Sequence, residues 1–596
     1  MGLFTLLLNT SAKVVFLPIL FSFIAVVLLA FYTYIYPKKK INFLYLIIVI
    51  SIPAVVNLFR PGVHQAGDLA LHTILLRSVY ENFQAGILIP QWAHEFCAGY
   101  GCPALMYQYI LPYYIGSIFH FIGFSYLNSI KILLALSFIF SGITMYIYTR
   151  EEFNEKVALF SGIFYLFAPY HLIDLHFRSS VGEVLSFVFI PLLFLFVKRS
   201  IDKDTYVNFV LGGLSFTGIF LSQPSVMLSI IPILFFYCIV KLRTTKKPVF
   251  RVVIKLISML TIGALLASFY WLPAAFEIKY TWYSLVGPAG AFFPIQDYLF
   301  SPILYGFLFQ GHNGELRTIV GYPHLLLFIA AIFLIWRNNK YFSKLEYAIT
   351  VLFSIFCIIY FLLMQSITKP IWDHIYILDS FLFVWRLLVP MSFLSSIIAG
   401  IVLANFNRKY IVIIIIIFTI GSTGLNWGNR KMIPFDPNIY YQAWDFYTEY
   451  TDKSNATLFK ITQERRLHIS TLRFDRSKYH IQVLSGNAQI TEVFRNPVNH
   501  IYVINAKKSS KILDNTLYFP GWHVSENNNL LPISYWNKNE VGKIVFNLPK
   551  GLYKVTVSFT DTPIRSLGKL LSLTTAIFLL LVFALRRSRK YKKFFK

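Results

Sequence analysis

Apolar runs long enough to cross a bilayer recur from one end of the chain to the other. A hydrocarbon layer of about 30 Å takes roughly 20 helical residues at about 1.5 Å each. Clear runs lie at 14 to 36, 41 to 58, 128 to 148, 183 to 199, 252 to 273, 317 to 336, 344 to 364, 387 to 404, 409 to 424 and 567 to 585. Shorter or proline-broken ones lie at 107 to 124, 157 to 171, 205 to 222 and 226 to 240. Backbone polar groups in lipid must be satisfied within their own segment, so these runs are predicted helices rather than barrel strands. With 56% hydrophobic and 14% charged residues, 596 residues carry more apolar surface than one soluble core hides.

The net charge of +27 would suggest nucleic acid in a soluble protein, but the basic residues fall in short connections between spans and report orientation instead. No nucleic-acid partner is expected. Lys38 to Lys40, Lys198, Arg199, Lys241, Arg243, Lys246, Lys247, Arg337, Lys340, Arg408, Lys409 and the tail from Arg586 are predicted cytoplasmic. Residues 59 to 106, 275 to 316, 365 to 386 and 425 to 565 then lie on the other side, and the tail is a stop-transfer anchor within reach of anionic headgroups. Four apolar segments separate Tyr107 from Lys198, where an odd number of crossings is required, so 107 to 124 or 157 to 171 is expected to re-enter. The N-terminal run is too long for a cleaved signal and is read as a helix. Cys97 and Cys102 share an outer loop, as a disulfide in an oxidising compartment or as two thiols.

Three blocks result: a membrane domain over 1–424 with an outer loop at 59–106, a β-rich, sandwich-like extracytoplasmic domain over 425–566, and a final span with a basic tail over 567–596. The β reading rests on period-two alternation in Tyr479 to Leu484, Lys543 to Leu548 and Tyr553 to Phe559, separated by Gly, Pro and Asn turns.

The outer loop gathers Arg60, His64, Asp68, His72, Arg77 and Glu81, followed by His94 and Glu95. On a helix, Asp68 and His72 share a face one turn apart, which suits deprotonating a hydroxyl or holding a divalent metal; it equally suits a helix lying on the membrane with its polar face wetted. A second cluster, Tyr170, His171, Asp174, His176, Arg178 and Glu183, borders an apolar span. Ionisable groups there are costly unless paired or facing a wet cavity, so the cluster serves either a site or a structural ion pair. Further outer-side candidates are Glu277, His312, Glu315, Asp373, His374 and Asp379, and Arg386, whose guanidinium either grips a lipid phosphate or snorkels to the headgroups. There is no Walker loop, GxGxxG, HExxH or CxxC, so nucleotide hydrolysis, dinucleotide chemistry and zinc proteolysis lack support.

The outer loop with Gly67-Asp68, Pro90-x-Trp92 and Gly101-x-Pro103, then Arg178, Glu183 and Pro191, then Trp271-Leu-Pro-Ala with Glu277, resembles bacterial YfhO-like membrane proteins. These overlap a group labelled 6-pyruvoyl-tetrahydropterin synthase-related, a label that implies no pterin chemistry. Tyr518-Phe-Pro-Gly-Trp522, Leu548-Pro-x-Gly551 and Thr562-Pro-x-Arg565 carry the likeness to the end of the chain. That family is similar to the GT-C superfamily of glycosyltransferases. The resemblance implies a GT-C-like polytopic α-helical membrane protein of about 13 or 14 apolar helices in the bacterial inner membrane, with its C-terminus cytoplasmic.

The implied activity is transfer of a sugar from a polyprenyl-phosphate donor to a hydroxyl of an envelope acceptor, itself glycan, lipid or protein. Asp68 would be the base with His72, and His64, Asp174, Arg178, Glu183, Glu277 and Arg386 the substrate-binding groups. Asp68 is followed by Leu69 and Ala70, without the paired acidic motif of some GT-C enzymes, which leaves a divalent metal, Mg or Mn, open. Gln223 stands where relatives carry a His. The other readings are a transporter or flippase and a non-catalytic envelope assembly factor.

Overall fold

The computed structural model describes residues 10–36, 42–64, 67–97, 99–203, 205–243, 248–280, 292–299, 319–337, 342–406, 408–423, 427, 432–433, 479–527, 529–536 and 540–594. Among these, seven helices are long and apolar enough to cross a membrane, eight if one bent pair is a single span, and five more apolar helices are shorter. The chain is a polytopic helical membrane protein that carries a C-terminal β-sandwich.

Local signals set where helices begin. Asn154 caps Glu155–Leu166 by accepting from the amides of Lys156 and Val157, and Ser343 and Glu346 form a reciprocal capping box at the start of Lys344–Leu363. Both segments suspected of re-entering are irregular. Leu111–Phe121 has 11 residues, roughly 16 Å of helix and half a bilayer. The second bends by 44° between Glu155–Leu166 and Pro169–Arg178, because Pro169 forces Ala168 out of the helical region.

At the centre, Tyr126–Glu152, Glu155–Leu166, Val181–Asp202 and Leu388–Ala404 pack on one another. A Cβ on Gly400 would strike Ser161 Oγ, so glycine lets those two backbones close up where no hydrophobic drive between helices exists. The span Val384–Ala404 is 94% buried, while Pro563–Arg586 is 11% buried and offers Leu570, Leu573 and Phe578 to lipid.

The sandwich has an antiparallel four-stranded sheet in the order Ile481–Ser485, Ser510–Leu517, Val541–Leu548, Ser534–Trp536. Its five-stranded partner runs Ala488–Asn496, Asn499–Ala506, Gly551–Phe559, Trp522–Glu526, Asn529–Leu531. The expected start of this block, near residue 425, falls largely outside the described residues. Tyr502, Ile504, Ile512, Trp522, Ile544 and Val557 fill the interior together with Trp92, Tyr100 and Met106 of the first outer loop. Trp92 meets Trp522 edge-on at 5.2 Å, and the Leu517 amide donates to Tyr100 O at 3.0 Å, so that loop is built into the sandwich. Gly101, at φ +76°, packs on the Trp92 indole, leaving no room for a side chain there. Cys97 and Cys102 are not joined as a disulfide.

Candidate active site

Gly67 and Asp68 stitch the outer loop to the bent span. Gly67 sits at φ +125°, and a Cβ there would collide with Phe177 O, so only glycine allows the approach. The Asp68 amide donates to Arg178 O at 2.6 Å. Asp68 stands at the N-cap of Leu69–Gln84, half-buried, yet its carboxylate makes no capping bond.

Arg178 closes a turn of π-helix, Asp174–Arg178, followed by Ser179 in the left-handed region at φ 53°. Such wound and strained turns aim side chains that a regular helix would splay apart. Arg178 Nη1 donates to Tyr170 Oη at 2.6 Å, to Asp174 Oδ1 at 2.7 Å and to Glu183 Oε2 at 3.0 Å. Glu183, in the first turn of Val181–Asp202, also accepts from the Tyr170 hydroxyl at 2.8 Å, Ser180 Oγ at 3.3 Å and Arg386 Nε at 3.0 Å, so both its oxygens are saturated. Arg386 Nη1 donates to Phe381 O at 2.8 Å.

The structure therefore brings Asp68, Asp174, Arg178, Glu183 and Arg386 together across more than half of the chain. The Asp174 and Glu183 side chains are fully buried while both arginines are 11% exposed, which turns a positive face outward over a negative layer. Among the described residues, Arg178 Nε and Nη2 and Arg386 Nη2 have no protein partner.

His72 is placed differently from its expected catalytic role. It is buried, with Nδ1 2.8 Å from Tyr113 Oη and Nε2 3.4 Å from Tyr109 Oη, so neither ring nitrogen is available to a substrate or metal. Burial pushes its pKa down to about 4, against Asp68, which raises it, and with Arg178, which lowers it further. It is neutral at pH 7 and orients the two tyrosines.

Glu277 also differs. Its carboxylate accepts from Thr562 Oγ1 and from Arg565 at 3.0 Å (Nε) and 2.7 Å (Nη2), inside a junction where the Arg565 side chain is fully buried. It joins the Trp271-Leu-Pro273 helix to the base of the sandwich and is spent on that contact. His64 contributes backbone to a two-residue strand paired with Met432–Ile433; its side chain, like that of Asp379, lies outside the described part, as do His312 and Glu315 entirely. Asp373 pairs with Lys369 at 2.7 Å. Gln223 lies at the break between Tyr206–Ser222 and Pro224–Leu242, below Gly182, against whose Cα Ser222 O packs.

For a metal, the ligand set decides. Among the described residues the His, Cys, Asp and Glu ligand atoms that converge in a group of three belong to Glu81, His94 and Glu95, and Asp68 is in no such group. Arg77 already bonds Glu81 at 2.6 Å and Glu95 at 3.1 Å and fills the cation's place there. With Arg77 in that position, Glu81, His94 and Glu95 do not fit a catalytic divalent ion.

Residues 108–271 match the family described as dolichyl-phosphate-mannose-protein mannosyltransferase. That stretch holds Tyr109, Tyr170, Asp174, Arg178 and Glu183 and leaves Asp68 and Arg386 outside. A protein of Lactococcus lactis subsp. cremoris (strain MG1363) is 23% identical over 344 residues, and the chain spans about half the length (55%) of this curated relative. The chain is similar to arabinofuranosyltransferase AftD from Mycobacteria (TM-score 0.43, 14% identity, 70% of this chain and 29% of that one). It is also similar to ArnT from Cupriavidus metallidurans bound to undecaprenyl phosphate (0.39, 12%, 62% and 60%) and to the Archaeoglobus fulgidus oligosaccharyltransferase in the apo form (0.43, 14%, 72% and 59%).

Tyr109 and Tyr113 were not anticipated from the sequence. Their rings stack with centroids 6.1 Å apart and planes 2° from parallel, between His72 and the charged cluster. The available signal was two tyrosines four positions apart entering an apolar run, a spacing that puts both on one face.

Proposed function

We propose that this chain is a membrane glycosyltransferase that moves a sugar from a polyprenyl-phosphate carrier to an acceptor hydroxyl on the membrane face away from the cytoplasm. The observation that carries this reading is the pair of outward guanidiniums, Arg178 and Arg386, held on Glu183 beside Asp68, whose carboxylate makes no capping bond. The free N–H groups of both arginines suit phosphate oxygens at the end of a lipid tail. As the acceptor oxygen bonds to the anomeric carbon, its proton passes to Asp68, and the bond from that carbon to the phosphate oxygen breaks with its electron pair leaving on the phosphate. Arg178 and Arg386 stabilise the charge that develops there. Glu183 fixes the arginines in place, and neutral His72 holds the tyrosine layer beneath Asp68.

Glu183 begins and Lys198-Arg199 nearly ends the same 22-residue span, so the site and a basic cluster lie at opposite membrane faces. The positive-inside rule supports a site that faces away from the cytoplasm and, in this reading, a tail on the cytoplasmic side of a bacterial inner membrane. The test is the full-length protein in lipid nanodiscs, incubated with radiolabelled polyprenyl-phosphate sugars and envelope extract from a deletion strain. Donor-dependent transfer of label, absent with Asp68→Asn, is the expected result. Movement of labelled carrier across a sealed vesicle without transfer would replace this reading with transport.

A further inference from the structure

A cleft of about 810 Å³ opens between the first outer loop and the sandwich, away from the arginine cluster. One wall is the C-terminal turn of Leu69–Gln84 with His94 and Glu95; the other is the end of strand Ala488–Asn496 with His500. The register shifts between Glu492 and Phe494, and this bulge puts Glu492 and Arg495, opposite Tyr502 and His500, on one face of the sheet, where strict alternation would turn them apart; Phe494 lines the cleft beside them.

The charges of the lining are matched internally. Arg77 meets Glu81 and Glu95, while Glu492 is met by His480 at 3.0 Å and Arg495 at 3.8 Å. Burial, reinforced by Arg77 and Arg495, lowers the His94 pKa against the pull of Glu95, so His94 is neutral at pH 7. Three carboxylates, Glu81, Glu95 and Glu492, stand against the two guanidiniums of Arg77 and Arg495, so no positive excess is left to recruit a phosphate or a polyanion, and Arg77 occupies the place a free cation would take. What remains is neutral hydrogen-bonding capacity between aromatic surfaces. His94 Nδ1 and Glu81 Oε2 are buried without a hydrogen-bond partner among the described residues, although buried polar atoms are nearly always paired. Tyr479 and Phe494 stand 65% and 45% exposed at the rim.

We infer that this cleft binds a neutral oligosaccharide, whose hydroxyls take up His94 Nδ1 and the second carboxylate oxygen of Glu81 while its apolar ring faces rest on Phe494 and Tyr479. That it is the far end of the acceptor rests on the transfer reading above; the binding does not. Asp68 and Glu81 lie 13 positions apart on one helix, roughly 20 Å at about 1.5 Å per residue, so the cleft meets an acceptor several sugars back from the reacting hydroxyl. Remote contacts of this kind strengthen binding of long acceptors without touching the chemical step.

The experiment is saturation-transfer NMR on the full-length protein in nanodiscs, with neutral tetrasaccharides (manno-, gluco-, galacto-, rhamno- and N-acetylglucosamine tetramers) as probes. Inositol hexaphosphate and a heparin tetrasaccharide serve as anionic controls, and Zn²⁺ as the cation control. At least one neutral tetramer should bind wild type and Asp68→Asn alike, and bind Phe494→Ala or Tyr479→Ala at least tenfold more weakly. Where transfer activity is present, Phe494→Ala should raise KM for a long acceptor more than for a monosaccharide acceptor. Binding of no neutral tetramer, preference for the anions or for Zn²⁺, or equal binding by the cleft variants would each overturn the inference. Absence of transfer with binding intact would sink the transferase reading alone.

Discussion

Burial fixes the charge of His72, and the sign of its pH effect follows. Its folded pKa of about 4 lies below the ordinary 6.5, so between these values the unfolded chain binds more protons. Its contribution is complete above pH 6.5 and is lost as pH falls toward 4, by about 3 kcal/mol for this group at roughly 1.4 kcal/mol per pH unit. The unfolding midpoint in detergent should drop over that window, and His72→Gln should flatten the drop; an unchanged slope would remove His72 as its source. Asp68 makes the opposite case, a half-buried carboxylate with no capping bond to lose. Asp68→Asn keeps the shape and removes the proposed base, so kcat should fall by about 10² to 10⁴ while the unfolding midpoint stays near wild type. A loss of stability matching the loss of activity would make Asp68 structural. Gly67→Ala should fail in both respects, because its Cβ would collide with Phe177 O and crowd Arg178 O.

Among elements, the joint between the sandwich and the membrane domain is the sharpest dependency. Arg565 is gripped by Glu277, donates to Pro520 O at 2.7 Å and lies over the Phe559 ring at 4.5 Å. Breaking a buried ion pair from one side strands the other charge and typically costs about 3 to 5 kcal/mol. Arg565→Ala should therefore lower the unfolding midpoint sharply and open the outer loop to limited proteolysis. The double replacement Glu277→Leu with Arg565→Met should recover most of the loss. If the double variant is no better than the single one, the joint depends on the guanidinium's backbone contacts and not on the pair. The same logic applies to Glu183→Gln, which leaves Arg178 and Arg386 without their shared carboxylate. Donor binding and folding should both suffer, whereas Arg386→Lys should fold and bind the donor more weakly.

On the scale of the molecule, the proposed orientation puts the basic clusters and the sandwich on opposite faces. Trypsin added to right-side-out spheroplasts should cut at the exposed Lys507-Lys508 turn and spare the tail beyond Arg586, which should be cut only in inverted vesicles. Cleavage in the reverse pattern would put the arginine cluster in the cytoplasm and end the proposed use of an outward-facing lipid carrier.

Helix positions, the membrane class and the strand-rich block near the C-terminus were legible in the sequence, because length, apolarity and period are properties of contiguous residues. So was the suspicion that Asp68, the 174 to 183 segment and Arg386 carry chemistry, since ionisable groups beside apolar spans stand out by composition alone. What those groups do to one another was not legible. Glu183 meets Arg386 across 203 positions, and Glu277 meets Arg565 across 288. Nothing local distinguishes a glutamate that organises two arginines from one spent on a structural joint. His72, next to Asp68 on the helix face, is turned inward by Tyr109 and Tyr113, and the Trp92 loop becomes part of a sandwich core formed some 400 residues later. Each outcome depends on which partner the folded chain brings within about 3 Å, a quantity set by packing among distant segments and by no residue's immediate neighbours.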